Sequence, residues 1–138
     1  MTLLELCYNK PDLILLDSTN SLVRAQLQHY KHLTPEKLRF RLLRLFQALV
    51  KSLEANSCDS MTHFMEQVSD ERYESGYELQ EVQTAINIME ECFWKKISEF
   101  VFADQQIAAM KQVTCILSKA KETLVNEYAL LSREYIFN

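Results

Sequence analysis

The chain holds a single glycine, Gly76, among 138 residues, and only two prolines, Pro11 and Pro35. Sheets joined by tight turns draw on glycine for positive φ, as do loops that wrap a phosphate. A Walker loop or a G-x-G-x-x-G fingerprint cannot be written with one glycine, so the nucleotide-binding folds that use them are excluded. Cysteine occurs only as the scattered Cys7, Cys58, Cys92 and Cys115, with no C-x-x-C pair, which removes the usual zinc and dithiol spacings. No run of about 18 apolar residues is present. The opening MTLLELCYNKPDLILLD carries Glu5, Asp12 and Asp17 instead of the basic, apolar and small-residue regions of a secretory signal. The expectation is a cytoplasmic chain with no membrane partner and four free thiols in a reducing compartment. Basic excess is missing too. The net charge of −4 is opposite in sign to a general nucleic-acid footprint, so no nucleic-acid partner is expected.

What is present is helical periodicity, over a length that suffices for one domain with its own core. The spacing predicts an all-α, single-domain bundle over 1–138, with about five helices and a long last one. A short apolar turn at 3–8 ends at Asn9, Lys10 and Pro11. A helix over 12–31 follows, with Leu13, Leu16, Val23, Leu27 and Tyr30 as its inward face. Thr34, Pro35 and Glu36 then give three agreeing start signals: an N-cap, a first-turn proline and a first-turn acid. The helix over 35–55 sets Leu38, Leu42, Leu45, Leu49 and Leu53 on one face, and Lys37, Arg41, Arg44 and Lys51 on the opposite one. Asn56 and Ser57 close it.

The helix over 59–75 faces Met61, Phe64, Met65 and Val68 inward, and Gly76 supplies its left-handed stop. The helix over 78–101 has the most regular stripe: Leu79, Val82, Ile86, Met89, Phe93, Ile97 and Phe100 alternate three and four apart. Trp94, beside Phe93, marks an edge of the core. Asp104 is expected to cap a last helix running through Ile107, Met110, Val113, Leu117, Leu124, Tyr128 and Leu131 to Tyr135. At about 1.5 Å per residue this helix measures on the order of 48 Å. It must bend near Ser118, or project its second half, with Tyr128, Tyr135 and Phe137, onto another chain. Homodimerisation through one of these last two helices is therefore expected.

The candidates for chemistry are few. His29 and His32, three apart, are only two local metal ligands with no acid beside them. The Glu-x-x-His pairs of di-iron bundles do not occur. Glu90 and Glu91 point in different directions and read as solvated. Cys58 and His63 could meet only in space, with no glycine-rich backbone nearby to form an oxyanion hole. His63 or His29 as a haem ligand in a globin-like sensor is the alternative reading. No catalytic, cofactor or metal site is assigned, and the expectation is that the chain is not an enzyme. The stripe Lys37, Arg41, Arg44, Lys51 is a candidate partner surface, which Glu71, Glu74, Glu78 and Glu81 could instead neutralise.

The stretch Glu71-Arg72-Tyr73-Glu74-Ser75-Gly76-Tyr77-Glu78-Leu79-Gln80-Glu81-Val82 resembles a segment of the RsbRD N-terminal domain family. That family has an arginine, then a glycine–aromatic–x–leucine step into a long helix. Thr34-Pro35-Glu36-Lys37-Leu38 is similar to its threonine–x–glutamate opening of an earlier helix. The resemblance implies an all-helical input module of stressosome co-antagonists and of some sensor kinases and regulators. It implies signal reception or protein–protein contact without catalysis, and a last helix leading to an output domain. The matching positions are Arg72, Gly76, Tyr77 and Leu79, whose expected role is to fix the corner between two helices. The functional expectation is a non-catalytic, dimeric, regulatory signal-input or protein-interaction module in stress-type signal transduction.

Overall fold

The computed structural model describes residues 1–137 and the side chains of residues 1–133. The described residues form six α-helices and one 3-10 turn, joined by short connections and with no strand. They are α1 (Leu3–Asn9), α2 (Pro11–Ala25), α3 (Pro35–Ala55), α4 (Asp59–Glu74), α5 (Leu79–Phe100) and α6 (Gln106–Phe137), the turn being Ala103–Gln105. α2 packs on α3, α3 on α4, α4 on α6, α6 on α5, and α5 back on α2. This closes a ring of five helices. α1 lies across α2, α3 and α5. No helix among the described residues is long and apolar enough to cross a membrane.

Each inward face follows from the spacing of its apolar residues. Leu38, Leu42, Leu45 and Leu49 of α3 are buried, as are Val82, Ile86, Met89, Phe93 and Ile97 of α5. Phe93 is fully enclosed and stacks on Phe46 with ring centroids 5.9 Å apart. Trp94 is 38 % exposed at the core's edge, its Nε1 donating to Thr114 Oγ1 at 3.1 Å. Thr34 caps α3 by accepting the Lys37 N–H at 3.3 Å, with Pro35 as the first helical residue. Asn56, left-handed at φ 50°, ends that helix.

The structure corrects the sequence reading in four places. α2 stops at Ala25 instead of continuing to residue 31, because Gln26 turns left-handed at φ 52°. Residues 27–33 then run as successive turns, with the Tyr30 and Lys31 N–H groups both donating to the Leu27 carbonyl. The inward face of α2 is also different. Ile14, Leu15, Ser18, Thr19 and Leu22 are buried, while Leu13, Leu16 and Val23 are exposed. α2 carries two apolar stripes, and the buried one is disguised by Ser18 and Thr19. Asp104 lies inside the 3-10 turn rather than capping α6, and Ile107 is 71 % exposed. Glu90 is buried, 3.8 Å from Lys121 of α6, because α6 covers that side of α5; Glu91 is exposed.

The length of α6 is absorbed within the chain at least as far as Tyr128. Val113, Leu117, Ala120, Leu124 and Tyr128 are all buried, and the helix runs along both α4 and α5. The α5 seam that its spacing offered to another chain is therefore filled internally. The side chains of Tyr135 and Phe137 lie outside the described residues. Phe93→Ala is expected to lower the unfolding free energy by about 3 to 5 kcal/mol, the range for an emptied aromatic core position. Urea denaturation checks this, and a loss under about 1 kcal/mol would mean that the ring does not sit in a close-packed core.

Candidate functional site at the corner of α4 and α5

The corner begins with backbone. Gly76 has φ +83°, its N–H donates to the Tyr73 carbonyl at 3.1 Å, and the Tyr77 N–H donates to the Arg72 carbonyl at 2.9 Å. These two bonds form a Schellman closure, which needs a left-handed residue at the glycine position. The motif usually adds an apolar contact between its first and last residues. Here the Arg72 guanidinium takes that place, 5.6 Å from the centre of the Tyr77 ring. Leu79, half-buried, opens α5 against the core.

The buried Tyr77 is the hub. Arg41 of α3 lies over the same ring at 5.4 Å and donates from Nη1 to the Tyr77 hydroxyl at 2.7 Å. That hydroxyl in turn donates to the His29 carbonyl at 3.1 Å. The His29 ring is 5.0 Å away, and Tyr30 meets Tyr77 edge-on at 5.1 Å. From α6, the Tyr128 hydroxyl donates to the Tyr77 carbonyl at 2.9 Å. One tyrosine thus ties the 26–34 connection, α3 and α6 to the α4–α5 corner. Burial pushes the Tyr128 hydroxyl up to about 12 and raises that of Tyr30, against the opposing pull of Arg72 and Arg41 on Tyr30. Both phenols stay neutral hydrogen-bonding groups at physiological pH.

Glu81 is the buried acid of the corner, its side chain 8 % exposed. Oε1 accepts the His29 backbone N–H at 2.9 Å, while Oε2 accepts the Glu78 N–H at 3.0 Å and lies 2.7 Å from His29 Nδ1. Burial alone would raise its carboxyl pKa. The two backbone donors and the imidazole outweigh that and hold it below the ordinary value. Glu81 is thereby a charged anchor, and its oxygens are already occupied by protein donors.

The basic stripe of α3 does not act as one surface. Arg41 is drawn into the corner, and Arg44 lies over Phe64 at 5.4 Å with Glu71 at 3.7 Å. Lys37 and Lys51 remain exposed. Arg44, Lys51, His63 and Gln67 line a surface cleft of about 300 Å³ between α3 and α4. Of the histidines, His29 belongs to Glu81, and exposed His63 lies 3.4 Å from Gln67. His32 is exposed. Cys58 shares its surroundings with Cys115 across a cleft between the α3–α4 turn and α6. No group of three His, Cys, Asp or Glu among the described residues could hold a metal ion.

The resemblance singled out Arg72, Gly76, Tyr77 and Leu79, while nothing in the sequence assigned His29, Tyr30 and Glu81 to the same corner. Glu81 had one legible signal, its place three residues after Glu78, the residue that caps α5. His29 and Tyr30 had none, because the turn that delivers them has neither glycine nor proline. Comparisons with family models, with curated proteins and with solved structures find no match for this chain.

Two substitutions test the corner. A Cβ at Gly76 would meet only His29 Nε2, at an ordinary 3.9 Å, so the strain of Gly76→Ala comes from φ alone. The expected loss is about 1 to 2 kcal/mol, with Gly76→Asn milder and Gly76→Val worse; an unchanged denaturation midpoint for all three would refute it. Glu81→Gln should cost about 1 to 3 kcal/mol at neutral pH. A carboxyl held below its ordinary value stabilises the fold fully above that value, 4.5, and ceases to as pH falls through the folded value. The gap between wild type and Glu81→Gln should therefore close on acidification; a gap that widens at low pH contradicts the assignment.

Proposed function

We propose that the chain is a non-catalytic helical module of regulatory type, which acts by helix-face contact and pairs with a second copy of itself through α2. The signal-input role implied by the resemblance at residues 71–82 belongs to this proposal, as does an output carried elsewhere. The observation that carries it is the outward stripe of α2. Leu13, Leu16 and Val23 are 37 %, 56 % and 39 % exposed, and with exposed Asn20 they are spaced three, four and three apart. That is the a/d seam of a helix pair.

A second copy suits this stripe better than an unrelated partner. Leu16 and Val23 lie four and three residues to either side of Asn20, so an antiparallel two-fold pairing about that residue brings each leucine within one residue of the other chain's valine. It also sets Asn20 against Asn20. An amide both donates and accepts and so satisfies its own copy, and a single asparagine in such a seam fixes register. The same arrangement brings the acidic end, with Asp12 and Asp17, toward the other chain's Arg24, and it opposes the two helix dipoles favourably. Closed two-fold pairing needs one self-complementary patch, and this stripe is one.

The corner supports the non-catalytic part. Glu81, Tyr77 and Tyr128 spend their polar atoms on backbone and on one another. Analytical ultracentrifugation over a wide concentration range should show a monomer–dimer equilibrium that Leu16→Asp shifts to monomer and Asn20→Leu tightens. A wild-type chain that stays monomeric at the highest concentrations defeats the pairing.

A further inference from the structure

Beside the corner, α2, α3, α4, α5 and the 26–34 connection line a partly open cavity of about 40 Å³. Its walls are apolar, with Leu22, Leu45, Val68 and Ala85 among them, and its polar groups are Arg41, Arg72 and Tyr30. Those three gather at one end. Arg41 lies 5.9 Å from the Tyr30 ring, and both guanidiniums rest against Tyr77. Arg72 is only 8 % exposed, and its Nε, fully buried, has no acceptor among the described residues.

The charges around this end do not balance. Glu71, the carboxylate beside Arg72 at 3.6 Å, is half-exposed and also serves Arg44. Glu81 is committed to His29 and to two backbone donors. Arg41 meets a phenol oxygen and two aromatic faces instead of an acid. A buried guanidinium with an unused N–H favours an anion strongly, since burying charge without a partner is unfavourable. The fork of N–H groups on arginine matches the two oxygens of a carboxylate. Apolar walls suit a short alkyl group and disfavour a sulfate or phosphate, which needs donors on every side. At roughly 10–15 Å³ per water-sized unit, the volume admits about three such units, which is the size of acetate.

We propose that this cavity binds a small monocarboxylate of about acetate size, its oxygens held by Arg72 with Arg41 and Tyr30, and its methyl set against Val68 and Ala85. The site stands apart from the pairing of α2. It would supply a signal for the input role, and its readout is ligand binding rather than oligomeric state. All four helices around it contribute side chains to the lining, so occupancy bears on the packing of the ring itself.

The experiment is isothermal calorimetry and thermal unfolding of the full chain at fixed ionic strength, with sodium acetate replacing sodium chloride. Formate, propionate, butyrate and nitrate form the comparison series. A ligand of four heavy atoms binds no tighter than roughly tens of micromolar, so the titrations extend well into the millimolar range. Saturable binding is expected for acetate, weaker for formate and lost by butyrate, with acetate raising the unfolding midpoint. Val68→Leu fills the cavity while keeping an apolar wall. It should fold and lose acetate affinity by about tenfold or more. Arg72→Met should abolish binding, and if it fails to fold, Val68→Leu decides. In methyl NMR, acetate should shift Val68 and Val82 ahead of surface methyls. Absence of saturable acetate binding overturns the proposal. So does equal binding to Val68→Leu, or a response to chloride and nitrate matching that to acetate.

Discussion

The architecture turns on one aromatic ring held between two guanidiniums. Tyr77 follows directly on a left-handed glycine, so its position is set by backbone before any tertiary contact forms. Arg72 from the helix just ended and Arg41 from α3 then lie against the ring. Cation–π contact strengthens as water is excluded, and here it replaces the apolar clasp of an ordinary Schellman turn. Hydroxyl and carbonyl of the same tyrosine go on to fix the 26–34 connection and α6.

That arrangement concentrates buried charge at one corner, the other buried acid among the described residues being Glu90, which faces Lys121 of α6. Glu81 is the well-satisfied case, with a donor for each oxygen supplied largely by backbone. Arg72 is the opposite case, buried to the same degree with an N–H to spare. The two lie on opposite sides of Tyr77 in the sequence, and Glu81 spends its oxygens on His29 and Glu78 instead of on Arg72. A fold selected only for stability would place an apolar side chain at residue 72, since the guanidinium there is not repaid by a buried acid. Arginine at that point is accounted for by its contact with the Tyr77 ring and by the proposed ligand, not by a buried ion pair.

How much of this was legible in the sequence depends on whether the determinant is local. Thr34-Pro35, Asn56 and Gly76 mark their boundaries through short-range stereochemistry, and the α5 stripe declares its face through uninterrupted spacing. α2 shows the limit. Its two stripes are nearly equal in apolar content, and the choice was made by Met89 and its neighbours across the ring, where Ser18 Oγ lies 3.9 Å from the methionine sulfur. The end of α2 was illegible for a related reason. Gln26 is not a residue that volunteers for a left-handed conformation, and the turn it makes delivers His29 and Tyr30 to Tyr77 at the corner. Glu81 read as one acid among several: its place three residues after Glu78 marks the bond to that N–H, but not the bonds to His29 that bury it.

The misread face of α2 also links the two proposed sites. Leu22 lines the cavity, and the next residue, Val23, points out of the bundle on the exposed stripe. Whatever alters packing around Leu22 therefore alters the presentation of Leu16, Asn20 and Val23 together. Thermodynamic linkage makes such coupling reciprocal: if occupancy of the cavity changes pairing through α2, pairing must change affinity at the cavity by the same factor. A small, apolar-walled site seated directly beneath an interaction helix is well placed for that exchange, because a close-packed ring of five helices transmits displacement instead of absorbing it.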